Sequence, residues 1–499
     1  MTPAMNLTMG IDIGTYETKG VLVDADGHVV AEARRKHEMI VPRAGWAEHD
    51  SEATWWGDVC NVSRALLEGV DPAAVRGLAL SAIGPCMLPV DADNQPLMNG
   101  VLYGVDTRAQ AEIEELNARI GADVILSRCG NALTSQSVGP KILWFRRAHP
   151  ELWARTARIH TATSFVVERL TGEAVIDHYT AANAAPLYDA DAQDWCFDLA
   201  DDICDRGQLP RLMWSGEIAG AVTAAASQAT GLAIGTPVTC GTIDAAAEAF
   251  SVGVAEVGDM MMMYGSTIFI ISVTPERVQD ARLWTAPWLF PGQHAAMAGL
   301  ATSGTLTHWF RDTFARELPK ETAFPMLVEE ASTVPAGARG LLFLPYFSGE
   351  RTPIHDPLAK GAFFGLNLTH GRAEMFRALI EGIAYGTAHV TECYAEAGAA
   401  PARIYAVGGG VQNALWLQAT SDATGLDQIV RGVTLGASFG NAALARMAVD
   451  GVEAEVISAW NPVVREVVAR SVPAYAHGFG LWKRLYVQTR DIMAELGAG

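Results

Sequence analysis

Apolar residues recur at every second position through residues 9–35, MGIDIGTYETKGVLVDADGHVVAEARR. The period predicts a short strand ending at Ile13, a turn at Gly14-Thr15, a second strand near residues 20–23 and a turn at Asp26-Gly27. Residues 258–274, GDMMMMYGSTIFIISVT, repeat the plan with an apolar strand through Tyr264, a turn at residues 265–267 and another apolar strand. Two hairpins of one design, one opening each half, predict a duplicated unit with a ligand clamped between the copies.

Between and after them the period changes. Residues 52–67 read as a helix with Trp55, Trp56, Val59 and Leu66 on one face, and residues 75–83 as a strand entering Gly84-Pro85-Cys86. A short strand is predicted at residues 101–103, mostly helix over 109–169, and an acidic, solvated loop leading to a helix over 189–205. A strand at 238–240 delivers Gly241-Thr242-Ile243-Asp244 to a helix over 245–250. Later come a strand at 341–346, a long helix over 374–395, a strand at 404–407 and Gly408-Gly409-Gly410 opening a helix through residues 413–424. Strands alternating with helices place the chain in the α/β class.

Length and composition narrow this. A chain of 499 residues exceeds what one core fills, so two domains are expected, and a hydrophobic share of 50% indicates a well-packed globular protein. Net charge is −20 with no basic run, which argues against nucleic acid as a partner. The 7 cysteines are scattered and never in a C-x-x-C pair, a pattern that suits reduced thiols in a cytosolic protein. No targeting pattern and no apolar run of ~18 residues is seen, so a cytoplasmic protein without a membrane partner is expected.

Three places carry candidate chemistry. Asp12 ends the first strand, and Gly14-Thr15 brings bare N–H groups and a hydroxyl close to a ligand, as phosphate and its metal require; an ordinary hairpin turn reads the same way. Asp106 and Arg108, just past a strand, either bind a polyol through charge-assisted hydrogen bonds or close on each other as an internal ion pair. Asp244 sits between a strand end and an Ala-rich helix start, where the helix N-terminus would hold it ionised. It reads locally as an N-cap, and its place at the junction of the halves makes it a cleft residue. The glycine run at 408–410 permits close approach to a nucleotide but lacks the third glycine of the dinucleotide fingerprint, since residue 413 is Asn.

Gly361-Ala362-Phe363-Phe364-Gly365-Leu366, then seven residues, Glu374-Met375, two residues and Ala378-Leu379-Ile380-Glu381 resemble the C-terminal signature of the FGGY carbohydrate kinases at every defined position. Lys141-Ile142-Leu143-Trp144-Phe145 resembles the N-terminal signature in part. Gly45-Trp46-Ala47-Glu48-His49-Asp50 and Gly349-Glu350-Arg351-Thr352-Pro353 are similar to segments of the xylulose kinase branch. The resemblance implies two actin-like (ribonuclease H-like) α/β domains with a duplicated core and an interdomain cleft. Residues 1–243 would mainly bind sugar and 244–499 mainly ATP.

It further implies ATP and Mg²⁺, with a small sugar or polyol as partner, and leaves a homodimer open. Asp12 would hold the metal through water, Gly14 and Thr15 would face the transferred phosphate, and Gly265, Ser266 and Thr267 would contact nucleotide phosphates. Gly304, His308, Gly408, Gly409 and Asn413 fall where the family packs ribose and adenine. Asp244 matches the catalytic base and touches the sugar, together with Gly84, Pro85, Tyr103, Asp106 and Arg108. Three departures bear on the acceptor: Gly84-Pro85-Cys86 replaces the branch's Met-His-Gly, Ala245 replaces Asn or Gln, and Tyr103-Gly104-Val105-Asp106-Thr107-Arg108 is one residue longer than Trp-x-Asp-x-Arg. Xylulose leads; another pentulose, a tetritol, glycerol or gluconate follows, and a catalytically silent nucleotide sensor is the rival from another class.

Overall fold

The computed structural model describes residues 6–497. Its first strand, β1 (Leu7–Ile13), buries Leu7, Met9, Ile11 and Ile13 in the core of the first half. The two-residue period leaves Thr8, Gly10 and Asp12 on the other face. An antiparallel meander follows through β2 (Glu17–Val23) and β3 (Val29–Lys36), and α1 (Gly57–Leu66) packs across these two strands. β4 (Val75–Ala82) runs parallel to β1, with Asp12 beside Ser81. β5 (Ile218–Ala221), β6 (Pro237–Thr239) and β7 (Thr242–Ile243) complete a sheet of order β5-β6-β4-β1-β2-β3, with β7 also on β4. The chain then turns into helix α2 (Asp244–Ser251).

A second sheet follows the same plan. β8 (Asp259–Tyr264), β9 (Ile268–Thr274), β10 (Trp284–Pro287), β11 (His294–Leu300), β12 (Arg403–Val407), β13 (Gln428–Arg431) and β14 (Val463–Val467) pair in the order β10-β11-β9-β8-β12-β13-β14. In each sheet a first strand opens an antiparallel meander and is flanked on its other side by parallel strands, with one antiparallel strand beyond them. The duplicated two-part α/β core expected from the paired hairpins is therefore present. Both faces of β8 are covered: Met260, Met262 and Tyr264 enter one apolar cluster and Met261 another, which is why its sequence is a continuous apolar run.

Helices α3 (Gly304–Phe314), α4 (Arg372–Glu396), α5 (Ala414–Thr424) and α6 (Ala437–Asp450) belong in sequence to the second half. Yet α6 lies against β1, β4 and α2 of the first. Glycine allows this: a Cβ on Gly10 would meet the Ser438 carbonyl at 1.9 Å, and one on Gly440 the Ala247 carbonyl at 2.1 Å. One apolar cluster consequently joins Ala79 of the first sheet, Ala246 and Phe250 of α2, Ala443 and Leu444 of α6, and Met261 and Ile271 of the second sheet.

Some local expectations fail. The stretch 109–169 is broken by a strand, Arg158–His160, that pairs with Leu88–Val90, and the strand expected at 101–103 is only Gly100–Val101. Residues 189–205, expected as a loop, hold part of a small hairpin, Tyr188–Asp189 with Asp194–Trp195, and the helix they lead to is a single short turn, Arg206–Gln208. Their acids are paired rather than merely solvated: Asp189 with Arg128, Asp191 with Arg277 and Asp202 with Arg119. Partners so distant in sequence are invisible to a local charge pattern. No described helix is long and apolar enough to cross a membrane.

Candidate active site

Each sheet's first strand ends in a tight turn. The Gly14 N–H donates to the Glu17 carbonyl at 3.0 Å, and the Gly265 N–H to the Thr267 carbonyl at 3.0 Å. The second turn is braced by the start of α3, where the Ser303 and Gly304 N–H groups donate to the Ser266 and Gly265 carbonyls, each at 3.0 Å. Only glycine fits at 304, since a Cβ there would lie 2.3 Å from the Gly265 carbonyl. In the first turn the Thr15 hydroxyl lies 3.2 Å from the Tyr103 hydroxyl.

Asp12 points to the face of β1 covered by α6. Ser81 Oγ donates to its carboxylate at 2.7 Å, and Asn441 Nδ2, from α6, donates in turn to Ser81 Oγ at 2.7 Å and to the Ile11 carbonyl at 2.8 Å. Burial raises the Asp12 carboxyl above the usual range, against the lowering effect of Ser81 and Lys19. Asp244 heads α2 and accepts the N–H of Ala245 at 2.7 Å. Burial, and then the charge of Asp12, push its carboxyl well above the ordinary value, against the lowering effect of the Ala245 N–H at the helix start. One helical turn on, Glu248 rises to about 7 through burial and again Asp12. Among the described residues, the one group of three acids and histidines close enough to ligate an ion directly is the exposed Asp24, Asp26 and His28.

Three cavities adjoin the second turn, Asp244 and Glu248, and none of them is lined by Asp12, Gly14 or Thr15. The first, of 460 Å³, is lined by Gly265, Ser266, Gly304, His308, Gly409 and Asn413, with Phe324, Pro325 and Trp416 as apolar walls. His308 meets Phe324 edge-on at 4.9 Å between centroids. The side chain of Asn413 caps α5, accepting the Trp416 N–H at 3.0 Å. The second, of 250 Å³, is bounded by Gly408, Gly409, Glu248 and Gly436. Gly408 needs to be glycine, with φ of 90° and the Tyr264 carbonyl 2.7 Å from any Cβ. The third, of 220 Å³, brings together Gly84, Pro85 and Asp244 with Thr267 of the second turn. Its other walls include Asn131, Gln136 and Asn183 from the first half and Trp284, Met297 and Arg351 from the second.

Asp106 and Arg108 take the internal-pair reading and do not line this cavity. Both side chains are fully buried, with Arg108 bonded to Asp106 at 2.7 Å and to Glu48 at 2.8 Å, and with its guanidinium over the Trp46 ring. Asp106 also accepts the Ala47 N–H. The pair fixes the loop, with its charges neutralised against Glu48 and each other, while Arg108 Nη1 is left without a hydrogen-bond partner. Tyr103 reaches Thr15 instead of the cavity, and its carbonyl is held by the buried Lys141, whose ammonium is pulled down to about 8 by burial. Sequence reasoning passed over Asn131, Gln136, Asn183 and Glu248, which carry no motif or period. Arg351 and His49 lie in stretches it singled out for other reasons.

The chain has clear relatives. A family model described as the N-terminal domain of the FGGY family of carbohydrate kinases matches residues 7–251, and one for the C-terminal domain of that family matches residues 260–449. A xylulose kinase of Bacillus subtilis is 28% identical over 503 residues, covering 99% of this chain and 99% of its own length. One of Escherichia coli is 29% identical over 495 residues, covering 97% of this chain and all of its own. Among solved structures, xylulose kinase from Rhodospirillum rubrum superposes with a TM-score of 0.92 at 29% identity, covering 98% of this chain and 99% of that one.

Proposed function

The chain belongs to the FGGY family of carbohydrate kinases, which use ATP, and from that premise we propose that it transfers the γ-phosphate to a hydroxyl of a small ketose or polyol, with D-xylulose as the leading acceptor and D-xylulose 5-phosphate as product. The observation that carries this reading is the place of Asp244. It lines a 220 Å³ cavity that Thr267, at the end of the second turn, also lines, so one carboxylate stands between a sugar-sized space and a phosphate-type turn.

In this reading the first half offers Gly84, Pro85 and Asp244 to the sugar, and the 460 Å³ cavity takes adenine and ribose beside His308, Gly304 and Gly409. Gly14 and Thr15 face the transferred phosphate, and residues 265–267 the remaining phosphates. Asp244 accepts the proton of the attacking hydroxyl; a carboxylate whose pKa is raised above the ordinary value is a stronger base than an exposed one. Phosphoryl transfer asks little covalent chemistry of the protein beyond alignment and charge neutralisation.

The donor set suits Mg²⁺. The charge of Asp12 raises the carboxyls of Asp244 and Glu248, and Glu248 adds to the rise at Asp244, with Lys19 as counter-charge to Asp12 and Glu248, so a hard divalent cation would relieve their repulsion. Held through water by Asp12, it would neutralise charge on the transferred phosphate. The test is ADP release with ATP and Mg²⁺ across pentuloses, tetritols, glycerol and sugar acids. D-xylulose should exceed the others by about tenfold or more in kcat/KM. Another single responder replaces xylulose as the acceptor, and ATP binding without stimulation by any of them overturns the kinase reading in favour of a nucleotide sensor.

A further inference from the structure

The first turn is gripped from behind by two imidazoles. His49 is fully buried, with Trp55 Nε1–H donating to its Nδ1 at 3.1 Å. Nδ1 therefore carries the lone pair, Nε2 carries the proton, and that proton is donated to the Thr15 carbonyl at 3.0 Å. Burial, and then His37, pull the His49 imidazole down to about 4, so it stays neutral and keeps this tautomer. His37 lies edge-on to it, 5.0 Å between ring centroids, with Nε2 at 3.0 Å from the Gly14 carbonyl and Nδ1 at 2.8 Å from Asp58. Asp58 is itself held by Arg35 at 2.7 Å and Thr18 at 3.3 Å. A carboxylate, a guanidinium and an indole thus anchor two rings that each take one carbonyl of consecutive turn residues.

Turn peptides are stiff planes, so fixing a carbonyl on one side fixes the next N–H on the other. We propose that His37 and His49 are positioning residues for phosphoryl transfer: by holding the carbonyls of Gly14 and Thr15 away from the cleft they aim the N–H groups of the turn and the Thr15 hydroxyl at the transferred phosphate. A turn free to rotate presents a carbonyl to an anion part of the time, and that conformer repels the group being transferred. Preorganised donors of this kind act on the transition state more than on ground-state binding.

This rests on Gly14 and Thr15 facing the γ-phosphate, as proposed above, and ADP, which lacks that phosphate, supplies the control. The experiment compares full-length wild type, His49→Leu and His49→Gln for sugar-dependent kcat and for ATP and ADP affinity. Gln can accept from Trp55 and donate to Thr15 at once, whereas Leu does neither. His49→Leu should lower kcat by about tenfold or more with ADP affinity within about twofold of wild type, and His49→Gln should restore kcat to within about threefold. Unchanged turnover in His49→Leu overturns the proposal, and so does loss of turnover together with ADP binding in both variants, which marks a packing role. Should His49→Leu fail to fold, His37→Leu decides at the rim of the same turn: a loss of about fivefold or more in kcat with ADP affinity kept supports the clamp, and unchanged kcat overturns it. A wild-type protein with no sugar-dependent turnover would instead remove the kinase reading itself.

Discussion

Asp244 accepts its neighbour's N–H and lies within the field of a second carboxylate, Asp12. A group so placed loses its proton reluctantly and takes one readily, which suits a base and would be a liability in a helix cap. Asp244→Asn keeps the shape and removes the basicity. Transfer should fall by about 100-fold or more while ATP affinity stays within about twofold. Turnover at the wild-type rate would remove the base assignment. Asp12 differs in being tied into a chain of bonds through Ser81 to Asn441, so its orientation depends on a residue near the other end of the sequence.

At the scale of elements, the contact of β1 with α6 governs the site. Three polar or small positions of β1, Thr8, Gly10 and Asp12, share the face that α6 covers. Gly10 sets the distance, and Asp12, two residues on, benefits from it. Gly10→Ala would drive a Cβ into the backbone at Ser438 and Ala442, at 1.9 and 2.4 Å. Backbone cannot swing aside as a side chain does, so a cost of about 3 kcal/mol is expected, read as a lowered midpoint in chemical denaturation. A midpoint equal to that of wild type would show that α6 can slide away at no cost.

For the whole molecule, the same contact means that the halves are not independent beads. The chain leaves the first sheet at Asp244, builds the second sheet as far as β13, sends α6 back to finish the first, and then adds β14 to the second. Apolar residues of both sheets, α2 and α6 form one cluster. A fragment of residues 1–251 would leave Ala79, Ala246 and Phe250 without their cover from α6 and the second sheet. It should lack a cooperative thermal transition and bind an apolar dye such as ANS. A sharp transition in that fragment would show that the first half folds alone.

The sequence by itself determined the two hairpins, their turns, the alternation of strands with helices, and Asp244 at the junction. These follow from periods of two and 3.6 residues and from short motifs, which act between neighbours in the chain. Tertiary structure decided which way side chains face once distant segments meet. Asp106 and Arg108 turned inward because Glu48 and Trp46, some 60 positions earlier, were there to receive them. His37 and His49 reached the first turn, and Asn441 reached Ser81, by packing that no local pattern specifies. The cavity at Asp244 likewise draws its walls from both halves, so its contents were fixed only when the second half closed over the first.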